Sequence, residues 1–296
     1  MIQVVKQRIY DPLHSGPRMK IVCFVSGSGT NYARIALRNP HHQYLVFTNR
    51  PGCAGAQLAK DNRHELIELS HVPYLKEARA KCGAGNVPRN SPEREQFEKD
   101  AFRLIEERLH GKPDLICLAG YDLLATDWFV DTYFPRVLNV HPGDTNKGYS
   151  GLGWVASAKA VLAGEESVRS TLFIVDKTED GGPVLLQSRP LNIVAALAVA
   201  ELKESSKLLD GLSNMKRYAG MTFAEFTQNA GQEDSALMRV LGETIQNALK
   251  VAGDWEIYPF GVGLIARGEV EIDGKAIFID CNRMPPYGHR MEEPLD

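Results

Sequence analysis

The sequence has no apolar run long enough to cross a bilayer. Its longest, Ile21-Val22-Cys23-Phe24-Val25 and the segment from Ile193 to Ala200, fall far short of the roughly 20 residues a membrane helix needs. Only five cysteines occur (Cys23, Cys53, Cys82, Cys117, Cys281), with no CxxC pair and no Cys/His cluster at zinc spacing. That odd set excludes a disulfide framework and leads to the expectation of a reduced, cytoplasmic chain. Neither charge is in excess: 34 Lys+Arg face 37 Asp+Glu for a net of −3. The balance leaves no basic footprint for duplex nucleic acid, so small-molecule partners are expected. Residues 1–18 carry Lys6, Arg8, Asp11 and His14 without an apolar core and are no secretory signal. Repeats and low-complexity stretches are also missing. What remains is a chain of 296 residues, 44% apolar and 24% charged, long enough to bury a large core without staples.

The apolar stretch Met19–Val25 ends in Ser26-Gly27-Ser28-Gly29-Thr30-Asn31 and a short helix, which reads as strand, tight loop, helix. Strands are expected at Tyr44–Thr48, Leu66–Leu69, Leu115–Ala119 and Val137–Val140, with helices between them. The clearest is Pro92–Leu109, where Phe97, Ala101, Ile105 and Leu109 recur every four positions and Gly111 stops the run. Alternation of this kind predicts an α/β fold with an open, mostly parallel sheet covered by helices on both faces. Further along, Ala156–Ala163 reads as a helix, and Thr171–Val175 and Val184–Gln187 as paired strands. The stripe Leu237, Leu241, Ile245, Leu249 marks a helical tail that ends in short strands near Val270 and Ile277. The resulting division is an extension over 1–18, a main body over 19–190, and a helical insertion with a C-terminal part of the same domain over 191–296.

Three constellations carry chemistry. Glycines in the Ser26–Asn31 loop free backbone N–H groups at a helix N-terminus, a place that favours an anion such as phosphate. The loop is no Walker motif, since no Lys follows, and Tyr32 occupies the third glycine position of a dinucleotide fingerprint. An ordinary tight turn with Thr30 as a helix cap is the plainer alternative. The second constellation is Asn139-Val140-His141-Pro142 at the carboxyl end of a strand, where alternation puts Asn139 and His141 on the same side. An amide can hold an oxyanion and an imidazole can move a proton at neutral pH. The third is Asp180 in Glu179-Asp180-Gly181-Gly182-Pro183, a turn signal that could also supply the carboxylate such a pair needs.

Taken in order, Ser26–Asn31, Leu118-Ala119-Gly120-Tyr121, Asn139-Val140-His141-Pro142 and Asp180-Gly181-Gly182-Pro183 resemble the folate-dependent formyltransferases, most nearly those acting on glycinamide ribonucleotide in purine biosynthesis. Thr48-Asn49-Arg50, Arg94-Glu95-Gln96-Phe97-Glu98 and Glu256-Ile257-Tyr258-Pro259 agree with it. The resemblance implies a Rossmann-like variant, one-carbon transfer from 10-formyltetrahydrofolate as cosubstrate, and no metal. It implies that Asn139, His141 and Asp180 are catalytic and that Gly29, Thr30, Asn31 and Glu256 hold the phosphorylated amine. Arg94 and the segment Tyr121, Asp122, Leu123, Leu124 and Ala125 would hold the folate.

Two departures stand out against that pattern. Leu123 replaces an arginine, and His141-Pro142-Gly143-Asp144-Thr145-Asn146-Lys147-Gly148-Tyr149 replaces the usual His-Pro-Ser-Leu-Leu-Pro loop. A different amine acceptor such as an amino sugar, water as the acceptor in a hydrolase, or a non-catalytic folate- or nucleotide-binding homologue are therefore rival expectations. The 18 residues before the first strand argue against the hydrolases, which carry an added N-terminal domain. The inserted helices are expected to form a homodimer surface or a lid. Asp144 is expected to shape its loop, and Cys23 and Cys117 to be ordinary buried thiols.

Overall fold

The computed structural model describes residues 6–82, 87–151, 153–198 and 202–292. The first five residues of the expected extension, and Val199 and Ala200 of the apolar segment from Ile193, lie outside the described residues. The chain opens with β1 (Gln7–Arg8), α1 (Pro12–Ser15), β2 (Lys20–Val25), α2 (Thr30–Arg38), β3 (Gln43–Thr48), α3 (Ala54–Asp61) and β4 (Glu65–Glu68). Next come α4 (Val72–Cys82), α5 (Pro92–Leu109), β5 (Leu115–Leu118), α6 (Asp127–Tyr133) and β6 (Val137–His141). After these come α7 (Val155–Leu162), β7 (Ser167–Val168), β8 (Thr171–Ile174), β9 (Val184–Gln187) and β10 (Leu191–Asn192). Helices α8 (Ile193–Ala198), α9 (Leu202–Met215), α10 (Phe223–Asn229), α11 (Gln232–Leu249) and α12 (Trp255–Ala266) precede β11 (Val270–Asp273), β12 (Ala276–Ile279), β13 (Asn282–Arg283) and β14 (His289–Arg290).

Two compact units result: Met1–Asn139 with Phe173–Pro183 and Tyr258–Met284, and Val140–Leu172 with Val184–Ile257 and Pro285–Asp296. They differ from the divisions read at residues 18 and 190. Gln7 and Arg8 pair antiparallel with Ile272 and Glu271 of β11, so the start of the chain shares a unit with β11. Within the first unit, β2 pairs in parallel with β3 and β5, β3 with β4, and β5 with β6. The order is therefore β4-β3-β2-β5-β6, an α/β fold as expected, and it reverses direction between β2 and β5. At such a reversal the loops leaving the two strands diverge and open a crevice at their carboxyl ends.

Local sequence explains these elements. Helix α5 starts where the Ser91 hydroxyl accepts from the Arg94 N–H and Pro92 fills the first turn, and it stops at His110 in the left-handed region (φ 51). Phe24 of β2 anchors the core, with the rings of Phe47, Tyr121, Phe102 and Phe129 at 4.7, 5.2, 5.6 and 5.7 Å. In the second unit the stripe of α11 packs on α7 and α8: Met238, Leu241, Ile245 and Leu249 join Ala158, Leu162 and Leu197 in one buried cluster. Leu237 lies at its edge, one position off the centre of the stripe. No described helix is long and apolar enough to cross a membrane.

Candidate active site

The Ser26–Asn31 loop leaves β2 at the reversal point. Gly29 caps α2 in the left-handed region (φ 68) without any side-chain bond, so the alternative of Thr30 as the cap is not what forms; Thr30 is the first helical residue. A Cβ on Gly29 would stand 2.5 Å from the Gly55 Cα, and the Gly55 N–H donates to the Gly27 carbonyl at 2.8 Å. Two glycines thus let the loop lie directly on the start of α3. Asn31 is buried behind it, its amide oxygen without a partner. Backbone amides at the start of this nine-residue helix give the loop the electrostatics of an anion site.

Three strand ends are tied together beside it. The Ser26 hydroxyl donates to the Asn49 amide oxygen at 2.7 Å, the Asn49 amide to the Asp122 carboxylate at 2.8 Å, and the Asp122 N–H to the Ser26 oxygen at 3.0 Å. Arg50 forms an ion pair with the same carboxylate. Burial alone would raise Asp122, but the Asn49 and Ser26 bonds and the Arg50 charge outweigh it and hold the carboxyl below its usual range. The loop after β2 and the segment after β5 are therefore one braced assembly.

The rest of the segment Tyr121–Ala125 is held through its main chain. Arg94 donates to the Leu124 carbonyl, and Arg89 Nε to the Ala125 carbonyl at 2.5 Å. Behind them Glu98, 2% exposed, accepts from the Thr126 N–H at 3.0 Å and from its hydroxyl. Burial pushes Glu98 up to about 7, against the Thr126 bonds and the Arg94 charge, which pull it down. Arg94 is itself 7% exposed, with its Nε unpartnered, and turns inward onto main chain. Tyr121 is half-buried, with its hydroxyl enclosed and also without a partner. The outward side presents Leu123 and the 42%-exposed Leu124. Together they make an apolar step on main chain that Arg94 and Arg89 hold.

Strand β6 carries Asn139, paired with Leu118 of β5, and ends in His141, one residue beyond the expected end. Asn139 belongs to the first unit and His141 to the second. The His141 ring is buried with Nε2 at 3.0 Å from the Tyr149 carbonyl, and a Cβ on Gly143 would press on its Cδ2 at 3.2 Å. Asp144 shapes the loop as expected: its buried carboxylate accepts from the Gln187 amide at 2.9 Å and the Asn146 N–H at 3.1 Å. Asp180, in the first unit, has φ 51, and Gly182 after it lies against β8, where a Cβ would come within 1.9 Å of the Ile174 carbonyl oxygen. Glu256 opens α12 in the second unit and pairs with Arg189 at 3.4 Å.

The sequence profile of the formyl transferase family matches residues 19–210. The chain belongs to that family. As a family member it is an enzyme, a formyltransferase. The phosphoribosylglycinamide formyltransferase of Escherichia coli (strain K12) is 24% identical over 283 residues, covering 93% of this chain and 100% of that one. A trifunctional purine biosynthetic protein, adenosine-3, of Drosophila melanogaster is 26% identical over 178 residues, and the match spans only 12% of its length. Among solved structures, a phosphoribosylglycinamide formyltransferase from Coxiella burnetii superposes with a TM-score of 0.59 at 20% identity, covering 92% of this chain and 99% of that one, a likeness of fold.

Sequence reasoning missed Glu98, Arg89 and Tyr149. Glu98 had a signal, since it falls on the buried side of α5 with Phe97, Ala101 and Phe102. Tyr149 had none, because it meets His141 through its main-chain carbonyl.

Proposed function

We propose that this formyltransferase moves the formyl group of 10-formyltetrahydrofolate to the primary amine of glycinamide ribonucleotide, a step of purine biosynthesis in the cytoplasm. The observation that carries it is the braced pair of segments at the strand reversal, an anion loop tied through Ser26, Asn49 and Asp122 to an apolar step. Gly29, Thr30 and Asn31 would hold the phosphate and Glu256 the rest of the nucleotide. Arg94 and Tyr121–Ala125 would hold the folate, with Arg94 acting through the Leu124 carbonyl.

Bound there, the donor supplies an electrophilic formyl carbon. The Asn139 amide donates to the formyl oxygen as negative charge develops on it. As the amine nitrogen bonds to the formyl carbon, His141 takes the proton that the amine loses, and its imidazolium adds positive charge beside the same oxygen; that proton then passes to the folate nitrogen, whose bond to the formyl carbon breaks to release tetrahydrofolate. Asp180 stabilises that cation.

Incubation with 10-formyltetrahydrofolate and glycinamide ribonucleotide, following tetrahydrofolate release, tests the proposal. Release only with acceptor supports it; release without acceptor means hydrolysis; binding without release means a non-catalytic homologue. A different amine acceptor is a second reading, favoured by the loop Gly143–Tyr149. There Asp144 and Gln187 bring buried polar groups to the stretch next to His141. Glycinamide ribonucleotide that fails where another phosphorylated amine succeeds would select it.

A further inference from the structure

The Tyr149 carbonyl oxygen lies 3.0 Å from His141 Nε2. A carbonyl oxygen only accepts, so Nε2 must carry its hydrogen in the neutral ring as well as in the cation. The nitrogen whose protonation changes is then Nδ1, and the ring need not turn between states. Gly143 leaves just enough room for this packing, because a Cβ there would stand 2.5 Å from the same carbonyl oxygen.

That carbonyl is held by a strap. The Lys147 and Tyr149 N–H groups donate to the Asp144 carbonyl at 3.1 and 3.2 Å, closing the turn. The Tyr149 hydroxyl donates to Glu165 Oε1 at 2.7 Å, and Lys147 Nζ sits 2.8 Å from both Glu165 oxygens. Lys159 Nζ grips the Ser150 carbonyl at 2.7 Å from the other flank. Burial alone would raise Glu165, but the Lys147 and Tyr149 bonds more than offset it and keep the carboxylate ionised. All of these groups belong to one compact unit.

We infer that Glu165 and Tyr149 are positioning residues for the transfer: Glu165 anchors the Tyr149 side chain so that the Tyr149 carbonyl fixes the proton on His141 Nε2. The inference rests on the proposed role of His141, and it gives main chain a part in orienting the ring.

Nitrogen-15 NMR of the histidines in the full-length protein, with His141 assigned by its Ala variant, reads the tautomer directly. Wild type is expected to keep Nε2 protonated at every pH. A neutral Nδ1–H tautomer in wild type would overturn the inference whatever the kinetics. Glu165→Gln and Tyr149→Phe, which spare the backbone, should lower kcat about five- to tenfold through lost orientation, with both KM values held within about twofold. They should also show a mixture of His141 tautomers. Unchanged kcat together with an unchanged tautomer in both variants would remove Glu165 from the role. Wild-type turnover in His141→Ala would instead sink the proposed role of His141, an outcome the tautomer measurement does not mimic.

Discussion

Glu98→Gln should convert a pH-dependent stability into a flatter one. In the folded protein burial raises the Glu98 carboxyl to about 7, from an ordinary 4.5. The folded state therefore binds this proton more tightly than the unfolded chain. Stability from that proton is fully present below pH 4.5, declines as the unfolded chain ionises, and is lost once pH passes about 7. A shift of about 2.5 pH units corresponds to about 3 kcal/mol in total, of which roughly 2.5 kcal/mol falls between pH 5 and pH 8. Glutamine keeps the acceptor oxygen for Thr126 and cannot ionise. Urea unfolding of both proteins at pH 5 and pH 8 should thus show the variant gaining on wild type by about 2 kcal/mol or more as pH rises. A gap that stays constant across that range would mean that Arg94 keeps Glu98 ionised throughout, and the burial argument would be wrong.

The catalytic proposal predicts that His141→Ala lowers turnover by about 10²–10⁴ and Asn139→Ala by about 10²–10³, with circular dichroism unchanged; a loss below threefold in either would refute its role. Gly29→Ala forces a Cβ to within 2.5 Å of the Gly55 Cα at a positive φ. It should cost about 2–4 kcal/mol in urea unfolding and weaken phosphate-dependent acceptor binding, whereas wild-type stability would show that the loop yields. Gly182→Ala, with only 1.9 Å to the Ile174 carbonyl oxygen, should destabilise by about 3 kcal/mol or more, and a soluble variant of normal stability would contradict the close approach.

Strands β2, β3 and β5 were legible in sequence because each is a short, largely apolar run between polar loops, the pattern of a strand buried on both faces, and β6 was legible from Val137, Leu138 and Val140 around Asn139. Helix α5 was legible to the residue because Ser91, Pro92 and Gly111 mark its ends. Strands β1 and β14 were not, since two polar residues each carry no periodicity and form only by pairing with distant backbone. Helix α4 also escaped notice: Pro73, Tyr74 and mixed charges blur any stripe, and Ala78 is its one buried residue with a described side chain. At the site, residue types and order pointed to Gly29, Asn139, His141 and Asp180. The inward turn of Arg94 was invisible because an arginine at that position reads the same whether it faces ligand or main chain. So was the ionisation of Glu98, which depends on enclosure rather than on neighbours along the chain.

The left-handed backbone of Asp180 shapes how its chemistry can be dissected. Asparagine is among the few side chains at ease in that conformation and matches aspartate in outline, so Asp180→Asn subtracts charge and little else. Alanine or a branched residue would distort the peptide geometry at the same time, and any loss of rate would then mix two causes. The amide variant is the comparison in which kinetics speak for the carboxylate alone.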